Sequence, residues 1–209
     1  GLEEADSFVQ QAVSNKPIWD AFYITYGRVG NSFANDVYSS LMEKSQKQED
    51  TWIPAVRQYV ALRAADRVDG ITLTSKARMI DKITWGINTG QGIGDVAARM
   101  ADSVGGVTRA TRIARTEIIS ASNLGSLEGA RATGLNPGKK WISTRDGRTR
   151  GSDPTDPYDH LSPDGQKTTT LDEPFIISGE QMQFPGDYSM GASIGNLVNC
   201  RCTQGYVTR

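Results

Sequence analysis

Two kinds of periodicity divide the chain. Through roughly its first two thirds, apolar residues recur every three to four positions, the spacing that lays a stripe along one face of an α-helix. Ala5, Phe8, Val9, Ala12 and Val13 form a short stripe, which Pro17 ends or bends because its ring removes an amide donor and crowds the preceding turn. Trp19, Phe22, Tyr23, Tyr26, Val29, Phe33, Ala34, Val37 and Leu41 form a longer one with a heavy aromatic load. Asp50 and Pro54 open a stripe through Val56, Val60, Ala64 and Val68 that Asp69-Gly70 closes. Thr74 or Ser75 caps the next, which carries Ala77, Ile80, Ile83, Thr84 and Ile87. NTGQGIGD connects it to a short helix with Val96, Ala97, Met100 and Val104 on one face. Beyond Gly105-Gly106 a helix is predicted over 107–133, with Ala110, Ile113, Ala114, Ile118, Ala121, Leu124 and Ala132 inward and Gly134 as its stop.

From Asn136 the pattern changes to short apolar runs between breakers. A strand is predicted around Trp141 and Ile142 and another from Phe175 to Ile177, while SDPTDPYDHLSPDG is dense in proline, glycine and aspartate and reads as loop. FPGD makes a turn, and the last segment alternates, with Leu197, Asn199, Arg201 and Thr203 on one face and Val198, Cys200 and Cys202 on the other. The fold class is therefore α+β. A helical region at 1–104 precedes a module at 105–209 made of the 107–133 helix and a small, loop-rich β unit at 138–209.

Composition narrows the function classes. The chain has 209 residues, 37% of them hydrophobic, enough for one substantial core or two small ones. A formal net charge of -1 argues against attachment to nucleic acid by bulk charge and leaves only a local basic patch for DNA or any other polyanion. No apolar run approaches the roughly 18 to 20 residues of a membrane-spanning helix, and the acidic start GLEEADSF is unlike a signal peptide. The glycines of NTGQGIGD lack the lysine and hydroxyl of a phosphate loop and serve as a helix connection.

Candidate chemistry concentrates near the end of the chain. Cys200 and Cys202 share one face of the predicted strand, where a direct bond would need a very tight ring; the arrangement suits two reduced thiols or two metal ligands. With His160, the only histidine, and Asp146 they make up the donor set of a structural tetrahedral zinc site. The competing reading keeps the thiols as packing groups and His160 as a hydrogen-bonded loop residue. The loop aspartates Asp146, Asp153, Asp156, Asp159 and Asp164 allow a magnesium-dependent nuclease or mark polar turns. Arg148 and Arg150 offer a clamp for phosphate or carboxylate; the expected alternative is that Asp146 pairs with Arg150 and holds its loop against the last strand. Arg109 and Arg112 lie on one side of the 107–133 helix and, with the aromatic residues Trp19, Phe22, Tyr26 and Phe33, are candidate partner-binding positions.

The ordered segments IARTEIISASNLGSLEGARATG, KKWISTRDGRTR, His160 followed by DGQ, LDEPF, FPGD and NCRC resemble the phage head morphogenesis family, the minor head proteins similar to the F protein of phage Mu and the minor head protein of SPP1. The resemblance covers roughly residues 107 to 205. Its recurrent features fall on Arg115, Thr116, Glu117, Trp141, Asp146, Arg150, His160, Asp164, Gly165, Phe175, Pro185, Asn199, Cys200, Arg201 and Cys202. Of these, Arg115, Glu117, Asp146, Arg150, Asn199 and Arg201 are expected to form a structural polar cluster. The passage from Arg150 to His160 and the segment DYSMGASIGNLV are longer than the family pattern. The resemblance implies a minor component of the virion head, made in the host cytoplasm during assembly, with portal, major capsid or scaffold proteins as partners. The alternative is a phage-associated metal-dependent nuclease or an ejected enzymatic effector.

Overall fold

The computed structural model describes residues 29–30, 32–42, 82, 85, 89, 91–104 and 106–207. The stripes before residue 29 and most of those between residues 43 and 90 lie outside the described residues, as do Trp19, Phe22 and Tyr26. The described elements run α1 (Ile93–Val104), α2 (Val107–Ala132), β1 (Gly138–Ile142), β2 (Phe175–Ile177), β3 (Glu180–Met182), α3 (Ile194–Leu197) and β4 (Thr203–Val207), preceded by helical residues at 29–30 and 32–41. This is the α+β organisation expected from the two periodicities.

α1 folds back on α2 through Gly106, whose φ of 119° is a conformation that a side chain would strain. The apolar face foreseen on α1 is buried: Val96, Ala97 and Met100 pack on Ala110 and Ala114, with Ile93 and Ile113 at the margin. Arg109 and Arg112 point to solvent on the other side of α2.

The second half of α2 is buried all round, from Ser120 through Ala130. Small residues make this arrangement work. A Cβ built on Gly125 would sit 2.2 Å from the carbonyl oxygen of Gly30, and one on Gly129 would sit 2.3 Å from that of Ala34. The helical segment around Ala34 and Tyr38 therefore lies backbone against backbone on α2, with Met42 and Ala132 beside it. Phe33 stays 44% exposed.

The β unit packs against α2. β1 and β4 pair antiparallel, with Trp141 opposite Gln204 and Ile142 opposite Thr203. The other edge of β1 is covered by the segment around Gln166: Trp141 N–H donates to Gln166 O at 2.9 Å and Thr168 N–H to Lys139 O at 2.9 Å. β3, not expected from the sequence, pairs with β2 across Ser178 and Gly179, both at positive φ (51° and 79°), the hairpin connection that matches strand twist. Trp141, Phe175, Ile177, Met182, Leu197, Cys200 and Cys202 form the core of the unit.

The terminal segment differs from expectation. Its strand begins only at Thr203; residues Ile194–Leu197 form a helical turn, and Asn199 has φ 63°. Asparagine tolerates this left-handed conformation, and one such residue interrupts the alternation that a continuous strand would impose.

Candidate metal centre

The two cysteines lie between the turn at Asn199 and the start of β4 at Thr203. Asn199 reverses the chain, Cys200 and Cys202 follow, and the Cys202 N–H donates to Cys200 Sγ at 3.4 Å. α2 holds the reversal from below: Asn199 N–H donates to Thr116 Oγ1 at 2.8 Å, and Arg115 donates to Asn199 Oδ1.

His160 reaches the thiols from the long loop. Its N–H and that of Leu161 both donate to Arg150 O, at 3.0 and 3.1 Å, and its ring stands edge-on to Trp141 with centroids 5.7 Å apart. The ring Nε2 lies 2.7 Å from Asn196 Oδ1. Asn196 Nδ2 in turn faces two acceptors, Ile177 O at 3.0 Å and Glu180 Oε2 at 2.9 Å. The amide orientation is fixed by those acceptors, so Oδ1 accepts from Nε2–H, and in the neutral ring the Nδ1 lone pair points the other way.

That lone pair faces both sulfurs, with Cys200 Sγ at 3.5 Å and Cys202 Sγ at 3.7 Å from Nδ1. The three ligand atoms all lie within 4.8 Å of one another, and their residues are 2%, 3% and 2% exposed for His160, Cys200 and Cys202. Tetrahedral zinc bonds to sulfur and nitrogen imply an S···N separation of about 3.6 Å. The geometry thus fits a shared cation, and it equally satisfies a thiol donating to an imidazole. The hydrogen bond from the Cys202 thiol holds Cys200 below the ordinary thiol range, whereas the same bond and burial push Cys202 up.

Asp146, expected as a fourth ligand and as the partner of Arg150, is neither. The Arg201 guanidinium forks onto its carboxylate, and Arg148 approaches to 3.7 Å. The Arg201 bond holds the Asp146 carboxyl down at about 2. Arg150 instead reaches the carbonyls of Asn196, at 3.5 Å, and Val198, tying the long loop to the chain before Asn199. The expected polar cluster is therefore a set of separate ties: Arg115 to Asn199, Asp146 to Arg201, and Arg150 to two carbonyls. Glu117 is buried on α2.

The aspartate-rich loop resolves into turn caps. Asp153 accepts from Thr155 N–H, Asp156 from Gly151 N–H, Asp159 from Leu161 and Ser162 N–H, and Asp164 from Ser143 N–H and Arg145. These are the bonds by which aspartate fixes loops. Among the described residues no aspartate belongs to the group of potential metal ligands.

Two asparagines escaped sequence reasoning. Asn196 orients His160, and Asn123 donates from the buried middle of α2 to Pro185 O at 3.0 Å and Cys202 O at 3.2 Å while accepting from Thr203 Oγ1 at 3.0 Å. The signal for Asn123 was present: Ser120, Asn123 and Ser126 are polar at helical spacing inside an otherwise small and apolar face. Asn196 sits within the short run IGNLV and gave no periodic cue.

A pocket opens beside the three ligand atoms, lined also by Thr144, Arg148, Thr149, Arg150 and Arg201. Burial lowers the pKa of neighbouring Arg115, and repulsion by Arg201 and Arg148 lowers it further, with Asp146 opposing.

The family model described as Phage Mu protein F like protein matches residues 77–205. A protein of Enterococcus faecalis named NAD(+)–arginine ADP-ribosyltransferase EFV is 35% identical over 98 residues, which span 46% of this chain and 18% of that protein. The chain thus corresponds to under a fifth of the length of this relative. No solved structure matches.

Proposed function

Because the chain belongs to the Phage Mu protein F like family, we propose that it is a minor structural protein of a phage head, assembled in the host cytoplasm against portal, major capsid or scaffold proteins. The observation that carries this reading is the use to which the module puts its charged residues. Asp146, Asp164, Arg115, Arg150 and Arg201 bind chain segments distant in sequence, so they serve a rigid shape rather than an acid–base pair. The expanded long loop is likewise consumed by internal bonds.

Arg109 and Arg112, exposed on α2, together with Phe33, are the candidate contacts for a neighbouring subunit, and the two arginines also suit a local contact with phage DNA. Isolation of precursor and mature heads followed by crosslinking mass spectrometry tests the assignment. Crosslinks to portal, scaffold or major capsid protein are expected. Reproducible exclusion of the protein from both kinds of head overturns it, and turnover of a defined substrate that disappears when the His160 site is changed would favour the enzymatic alternative.

A further inference from the structure

The His160, Cys200 and Cys202 cluster is more than packed thiols next to a histidine. Three features of a preorganised ligand set coincide there. The imidazole is locked in one tautomer by Asn196, which directs the Nδ1 lone pair at the sulfurs, the orienting partner that metal-bound histidines require. Cys200 Sγ accepts a backbone N–H from Cys202, a bond that stabilises a thiolate. The 3.5 and 3.7 Å separations are those of atoms sharing one small tetrahedral cation.

The pocket side of the cluster adds a further point. Every side chain that lines it beyond the three ligands is a threonine, an arginine or Asn199, with no carboxylate among them. The nearby carboxylate, Asp146, is held by Arg201. A cation bound by two thiolates and a neutral imidazole would be charge-neutral, so Arg150, held on two carbonyls, and Arg148, which shares the single Asp146 carboxylate with Arg201, would leave net positive charge on its pocket side.

We infer that His160 Nδ1, Cys200 Sγ and Cys202 Sγ bind one zinc-class divalent cation whose fourth position opens into the arginine-lined pocket and takes water or a small anion. The bound set is two thiolates and one neutral imidazole, and the protons displaced from the thiols pass to solvent. The ion clamps the long loop to the chain reversal at Asn199. The open position makes it a three-ligand centre, unlike a closed four-ligand structural site.

Cobalt(II) titration of the full chain, freed of metal by a chelator, tests this. Expected are about one ion per chain with thiolate-to-cobalt charge-transfer bands and tetrahedral d–d bands; both are lost in Cys200→Ser and His160→Ala. Azide or inorganic phosphate should shift the d–d bands of wild type. Arg148→Ala, at an exposed side chain, should keep the cobalt and at least halve the response to low anion concentration. Circular dichroism of wild type before and after chelation shows that the apo chain offered to cobalt is folded. Folded wild type that yields no thiolate–cobalt bands overturns the site. Cobalt bands that neither anion moves overturn the open fourth position.

Discussion

Asn196 accepts the Nε2 proton of His160 at 2.7 Å while donating to Ile177 and Glu180. Each of these bonds is buried or nearly so, and one amide satisfies three partners from three segments. Replacing it by alanine leaves the buried imidazole N–H without this partner and removes the side-chain bond to the Ile177 carbonyl. Asn196→Ala should therefore cost roughly 2–4 kcal/mol of unfolding free energy, read from the shift in urea midpoint. Nitrogen-15 NMR of the neutral ring should show the Nε2–H tautomer in wild type and a mixture of tautomers in the variant.

Gly125 and Gly129 are expected to resist a substitution that helix propensity favours. Alanine at either position gains about 1 kcal/mol in an isolated helix. In this protein its methyl would fall within 2.2–2.3 Å of backbone oxygens at Gly30 and Ala34, and backbone cannot give way as a flexible side chain can. Gly129→Ala should lower stability by roughly 2 kcal/mol or more in thermal or denaturant unfolding. A more stable variant would show that the two backbones do not meet.

Lys139 predicts an alkaline gain in stability. Its Nζ donates to Gln183 O at 2.8 Å and Gln183 Oε1 at 3.0 Å, and burial lowers its pKa to about 8. A lysine depressed in the folded state is charged in the unfolded chain and neutral in the native one between pH 8 and 10.5, so the unfolded state binds more protons there. Stability should rise with pH across that window, by on the order of 3 kcal/mol if nothing else titrates. The rise should vanish in Lys139→Met, measured as urea midpoints at stepped pH.

Asp146 predicts a slope of the same sign at the acid end. Its folded pKa, about 2, lies below the value for an unfolded chain. The Asp146–Arg201 tie therefore contributes fully above about pH 4 and is lost as pH falls through the folded value. Wild type should lose stability over that range more steeply than Asp146→Asn, and the two curves should converge near pH 2.

How much of this was legible in sequence depends on the range of the interaction. α2 and the face of α1 followed from local periodicity, and β1 and β2 from short apolar runs between breakers. The meeting of His160 with both cysteines was also anticipated, on the expectation of one continuous strand; the strand begins only at Thr203, after a left-handed Asn199. The Asp146 pairing was misread because Arg150 and Arg201 both carry the right charge, and spacing favours the nearer. The long loop instead sends Arg150 to backbone carbonyls and brings Asp146 to a partner 55 residues on. Asn196 was invisible because its work is set by three residues distant in the chain, and no local pattern encodes them.

The pairing of β1 with β4 also sets an order of events during synthesis. Gly138–Ile142 emerges from the ribosome more than sixty residues ahead of Thr203–Val207, its antiparallel partner. Until that segment appears, one edge of the Trp141 strand has no partner strand, Asn123 lacks Cys202 and Thr203, and both sulfurs are missing from the His160 site. Helix α2 can form early, but the unit beside it cannot close step by step as the chain lengthens. Closure comes as a late and largely single event, and a nascent chain stalled short of residue 203 would present an unpaired strand edge to chaperones and to other copies of itself.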